Sequence, residues 1–204
     1  MVTVSSILLS IRSKTGDTNP DKYRFSTMEI IDSINDALNI MSEELLWATR
    51  TWEIPCTEGV GRYVLPVDFL RPISASYNGK VISNIESMEH RNKNESFSGG
   101  MAYDAQTLHV FPSDSVKEGD TIEIYYNNYE TINDETDTLD VANGYKTAIV
   151  YYALHLLYQN PISKEHMKKS SEYLSLYYAR ISGLKGRTRS NVQSKNIRSS
   201  YRKI

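Results

Sequence analysis

Apolar positions in the first fifty residues recur with a helical period. Ile7, Leu8 and Ile11 share one face of a short helix over Val4–Ser13. A turn-rich connector, Thr15–Tyr23, follows with Gly16, Asn19 and Pro20. Ser26-Thr27-Met28-Glu29 then has the form of a capping box. The Ser26 hydroxyl can accept the backbone N–H of Glu29, and the Glu29 carboxylate can reach back. Ile30, Ile31, Ile34, Ala37, Leu38, Met41, Leu45 and Ala48 continue as one stripe, with Asp32, Asn35, Asp36, Asn39 and Glu43 opposite. The stripe predicts a helix from Ser26 to about Arg50.

The period drops toward two at Thr51 and stays there to about Glu130, with turn residues at close intervals. Strands are expected at Thr51–Cys56, Arg62–Leu65, Pro72–Tyr77, Met101–Tyr103, Thr107–Phe111 and Thr121–Tyr129. Asn78-Gly79 is a hairpin signal, because both residues tolerate positive φ. In the last strand Ile122, Ile124 and Tyr126 face one way, Glu123 and Tyr125 the other. Glu89–Gly100 is polar and reads as an exposed loop.

Helical periodicity returns after an acidic loop, Asn133–Asp140. One helix is expected over Val141–Gln159, broken by Asn160-Pro161. A second is expected from about Ser163 to Ser182, with Met167, Tyr173, Leu174, Tyr177 and Ile181 inward and Gly183 and Gly186 ending it. The short break implies an antiparallel hairpin. The fold class is therefore α+β: an antiparallel helical bundle with an inserted antiparallel β lobe and an extended C-terminal arm. The expected domains are a helical core over 1–50 and 141–186, a β lobe over 51–130, an acidic connecting loop over 131–140 and a basic arm over 187–204.

Charge is unevenly placed. The net charge is −2, yet Lys185–Ile204 holds seven basic residues and no acidic one, so the rest of the chain is clearly acidic. A basic tail on an acidic body suggests a tail with its own partner. Arg187, Arg189, Lys195, Arg198, Arg202 and Lys203 could pair with carboxylates or phosphates, while Tyr201 and Ile204 could anchor the end. A solvated tail, docking on an acidic protein and contact with nucleic acid all remain open. Fifteen Tyr against four Phe and two Trp suit surfaces buried on assembly. A compositional bias toward Tyr, Asn, Lys and Ile gives the same count.

Reactive constellations are missing from the pattern. His90, His109, His155 and His166 lie at no metal-ligand spacing, and the single cysteine, Cys56, excludes an intrachain disulfide and fits a reducing cytoplasm. No nucleophile elbow, phosphate loop or dinucleotide fingerprint is present. Asp134, Asp137 and Asp140 are spaced by three, unlike a calcium loop, and Asp140 suits a helix N-terminus instead. Some pair among 25 acidic residues will always suggest glycoside hydrolysis, so that pattern carries no weight. No apolar run is long enough to span a bilayer, and the N-terminal patch lacks the basic region of a signal peptide. No enzyme, cofactor, metal or membrane contact is expected.

Ile30–Met41 (IIDSINDALNIM), Trp47 and Trp52, then Tyr63–Lys80 (YVLPVDFLRPISASYNGK), Leu108–Ser113 (LHVFPS) and Ile122–Tyr126 (IEIYY) occur in an order that resembles the head-to-tail adaptor proteins of short-tailed bacteriophages. The resemblance covers about residues 4–186, and Tyr63–Arg71 is its most specific piece. It implies a virion protein of the head–tail junction, made in the host cytoplasm and acting in DNA packaging and ejection. It further implies a ring, usually of twelve copies, with the portal protein above and tail or ring proteins below. Double-stranded DNA would pass through the channel without sequence-specific binding, and the C-terminal arm would bind the portal. Some relatives are credited with peptidoglycan hydrolysis, but no residue here maps onto that activity. A nucleic-acid-binding module acting through the arm is the other alternative.

Overall fold

The structure is a computed structural model. It describes residues 1–45, 47–82, 85–89, 100–141, 143–159 and 163–197, without the side chains of residues 114 and 186–197. The expected Glu89–Gly100 loop and the Asn160-Pro161 break lie mostly outside the described residues. The chain forms two compact units, Met1–Trp47 with Glu130–Ile204, and Ala48–Tyr129.

The first unit is helical. Helix α1 (Val4–Thr15) buries Val4, Ile7, Leu8 and Ile11. It stops at Gly16, whose φ of 71° is left-handed, a conformation that favours glycine. The connector beyond it is held by a buried ion pair. Arg12 Nη1 donates to Asp17 Oδ2 at 3.2 Å, and Asp17 also accepts the backbone N–H groups of Arg24 and Phe25. Arg12 donates further to Phe25 O and Thr27 Oγ1 and lies 3.4 Å from the Tyr23 ring centroid. These extra bonds offset the desolvation that a bare buried pair would suffer.

Helix α2 (Thr27–Glu44) carries the expected capping box: Ser26 N–H donates to Glu29 Oε2 at 2.7 Å, and Glu29 N–H to Ser26 Oγ at 3.2 Å. The helix ends at Glu44, short of the expected Arg50, because Leu45 turns extended (φ −129°, ψ 150°). Leu45 nonetheless stays in the buried helical core, so the stripe runs one residue past the helix; Ala48, expected to continue it, is buried too but belongs to the second unit. Asn35, assigned from the sequence to the polar face, is half-buried and exchanges two bonds with the backbone of Ile132.

The acidic segment is more than a loop. It forms strand β10 (Thr138–Leu139), which pairs antiparallel with β1 (Val2–Thr3). Helices α3 (Asn143–Leu157) and α4 (Lys164–Ile197) form the antiparallel hairpin: Arg180 donates to Gly144 O at one end, and His155 meets Ser170 further along. Tyrosines fill the seam, with ring centroids 6.3 Å apart for Tyr151–Tyr173, 6.0 Å for Tyr158–Tyr173 and 4.8 Å for Tyr152–Tyr177. Much of the tyrosine excess thus serves packing within the chain. Helix α4 does not stop at Gly183 or Gly186, as the sequence suggested. Ile181 and Leu184 keep the buried face in phase across Gly183. Met167, expected inward, is 58% exposed.

The second unit has two four-stranded sheets around one core. The first runs β2 (Thr49–Pro55), β9 (Thr121–Asn128), β4 (Phe69–Tyr77), β5 (Lys80–Ile82). The second runs β3 (Arg62–Val64), β8 (Thr107–Phe111), β7 (Gly100–Tyr103), β6 (Ile85–Ser87). Pairing is antiparallel as expected, except that β6 and β7 run parallel. Asn78 and Gly79 turn the β4–β5 hairpin with φ of 48° and 73°. Ile122, Ile124 and Tyr126 point inward with Ile54, Ala75, Leu108 and Val110, while Glu123 and Tyr125 are exposed.

Candidate functional site

Three of the eight sequence-predicted contact residues fall within the described part of α4. Arg187, Arg189 and Lys195 lie on its last turns. Arg198, Tyr201, Arg202, Lys203 and Ile204 lie outside the described residues. The first turn of α3 sits beside Arg180 and Leu184, so α4 continues past the start of its partner helix from Lys185 to Ile197. At about 1.5 Å per residue that extension is roughly 20 Å long. Lys185 at its base donates to Glu44 Oε2 at 2.8 Å and so ties the basic segment to the end of α2.

The three described histidines are engaged with neighbouring groups. His155 Nδ1 lies 2.8 Å from Ser170 Oγ, which is base–nucleophile spacing. The neighbouring bonds give both groups other tasks. Nδ1–H donates to Ser170 O at 3.0 Å, the Gln159 amide donates to Nε2 at 3.1 Å, and the Ser170 hydroxyl donates to His155 O at 3.0 Å. One neutral tautomer satisfies every bond and leaves no lone pair to activate the hydroxyl. Both residues are buried at the α3–α4 seam. His109 Nε2 is 2.9 Å from Asp104 Oδ2, and that carboxylate also accepts the backbone N–H groups of Gln106 and Thr107. Those bonds hold Asp104 below the usual carboxylate range, the Gln106 contact first. His166 meets the Arg24 guanidinium, and His90 lies outside the described residues.

Other polar groups follow the same pattern. Burial pushes the Cys56 thiol up, the reverse of what an activated thiolate needs. Asp134 and Asp137 are occupied by the turn they build: Asp137 Oδ2 accepts the N–H of Asn133 at 2.7 Å, and Asp134 Oδ1 accepts from Thr136. Asp140 stands three residues before α3 begins. Among the described residues no group of three or more His, Cys, Asp or Glu could hold a metal ion. Among them, too, no helix is long and apolar enough to cross a membrane.

The Tyr63–Arg71 segment has a structural explanation. Asp68 accepts from Arg50 Nη1 at 2.7 Å and from Tyr126 Oη at 3.1 Å, while its carbonyl accepts the N–H of Tyr129 at 2.9 Å. Phe69 stacks on Tyr126 with centroids 5.1 Å apart and meets Tyr103 edge-on. The segment thereby fastens β4 to both β2 and β9. The model of the SU10 adaptor protein family matches residues 2–199, and the chain belongs to that family. It is a structural phage protein, an adaptor of the virion, in agreement with the resemblance noted above. No curated protein matches the chain.

Proposed function

We propose that the chain is the repeating subunit of a ring, of twelve copies, seated beneath the portal at the head–tail junction. The match to the adaptor family over residues 2–199 carries this reading. The ring extends the DNA channel and offers a platform to tail or ring proteins below. It takes part in DNA packaging and ejection by assembly and without catalytic turnover. An acidic body keeps passing DNA from adhering through like charge.

In this reading the basic segment is the portal contact. Arg187, Arg189, Arg198 and Arg202 can each make bidentate bonds to carboxylates, and Tyr201 and Ile204 supply apolar anchors. Deleting residues 187–204 tests the assignment. A folded subunit that no longer joins the portal is expected, and attachment of the full chain should weaken as salt rises. Normal assembly of the truncated chain on the portal, with particles that lose DNA, would assign the segment to DNA instead.

A further inference from the structure

The bonding parity of the β unit singles out two open strand edges. In an antiparallel ladder, residues alternate between exchanging bonds with the partner and directing their N–H and C=O outward. Ala48 O accepts from Asn128 N–H, and Cys56 N–H donates to Asp120 O. Even-numbered residues of β2 therefore bond to β9, and Thr49, Thr51 and Glu53 face outward. Leu65 N–H donates to Gln106 O, and Val110 N–H donates to Gly61 O. Odd-numbered residues of β3 bond to β8, so Arg62 and Val64 face outward. All five outward residues are exposed, Val64 at 80%. Both strands lie at sheet edges among the described residues.

We infer that neighbouring copies join by antiparallel pairing of β2 in one copy with β3 in the next, placing Glu53 opposite Arg62 and Thr51 opposite Val64. The register satisfies parity at both positions and forms two bond-exchanging pairs. It sets a carboxylate beside a guanidinium on an exposed face, where cross-strand opposite charges attract. Glu53 also gains relief from its like-charged neighbour, since its partner in β9 is Glu123. The remaining edges fit less well. In β5, Lys80 flanks the two-residue turn and bonds inward to Tyr77, leaving Val81 alone to face outward. Strand β6 is half-buried along its length. A β2–β3 contact joins two different surfaces, the kind of contact that propagates around a ring, whereas β2 on β2 stops at a dimer. The inference rests on the proposed ring and names the contact that builds it.

Cysteine pairing tests the register. Bond-exchanging pairs have Cα atoms about 5.5 Å apart, within disulfide reach. The full chain carrying Glu53→Cys and Arg62→Cys, with Cys56→Ser, is oxidised alone and on the portal protein. A covalent ladder beyond dimer is expected, absent from each single cysteine variant. Glu53→Arg or Arg62→Glu should each weaken association about fivefold per interface, and the double reversal should restore it, which a misfolded variant would not do. Rings without a ladder, and indifferent to charge reversal, would overturn the edge pairing while leaving the ring intact. A Thr51→Cys variant that crosslinks only to dimer would replace it with β2–β2 pairing. No oligomer, alone or on the portal, would remove both the ring and this contact.

Discussion

Tyr126 of β9 meets two adjacent residues that are distant in sequence, through the Phe69 ring and the Asp68 carboxylate. Burial, and then the nearby Asp68 charge, push its phenol up to about 12. Tyr63 and Tyr77 are likewise pushed up to about 12, burial leading in each case, with Asp120 accepting from Tyr77. An unfolded tyrosine ionises near pH 10. Between about pH 10 and 12 the unfolded chain therefore holds fewer protons than the folded one, so stability falls as pH rises through that window and is complete below it. Urea unfolding above and below pH 10 should show the decline. Phenolate absorbance should show a late-titrating class that loses one member in Tyr126→Phe. Phenols that all titrate near pH 10 in the native protein would refute this. None of it was legible in the sequence. The Tyr63–Arg71 segment stood out there, but the partners of Asp68 are 18 and 58 residues away, and no local pattern encodes them.

Elements were legible where one buried face sets one period. The Ser26 cap, the α2 stripe and the alternation in β9 all formed as read, because capping and side-chain period act over a few residues. Misreadings came where burial and backbone conformation part company. Leu45 keeps its place in the buried stripe although its backbone is already extended. Gly183 looked like a stop, but it sits on the exposed side of α4 while Leu184 carries on the buried face. Glycine ends a helix only where the chain takes up the left-handed turn, as Gly16 does. A Cβ at Gly183 would meet nothing within 4 Å. Gly183→Ala should therefore stabilise the helical unit by about 0.5–1 kcal/mol, through lower backbone entropy in the unfolded chain. A shift of the unfolding midpoint to higher urea, with unchanged slope, is the expected readout. A lower midpoint would mean that the helix does not pass through residue 183 in solution.

At the scale of the molecule, chain order and spatial order differ: Ala48–Tyr129 forms its own unit between two stretches that build another. The strand that enters the β unit and the strand that leaves it are neighbours, joined by Asn128 N–H to Ala48 O at 3.2 Å. Among the described residues its core, with Ile54, Leu108, Ile122 and Ile124, comes from its own strands and loops. The helical core draws on both flanking stretches, pairing Ile30, Ile34 and Leu38 with Ile149, Ala153 and Leu154. A unit with a closed core and adjacent ends needs no covalent help from its surroundings to fold. Residues 48–129 produced alone should then unfold in one cooperative step with a β-type circular dichroism spectrum. The chain with a short Gly-Ser linker between Trp47 and Glu130 should keep a helical spectrum and its own transition. If the isolated β unit stays unfolded while the intact chain melts in a single step, the two cores depend on each other for stability and the separation fails.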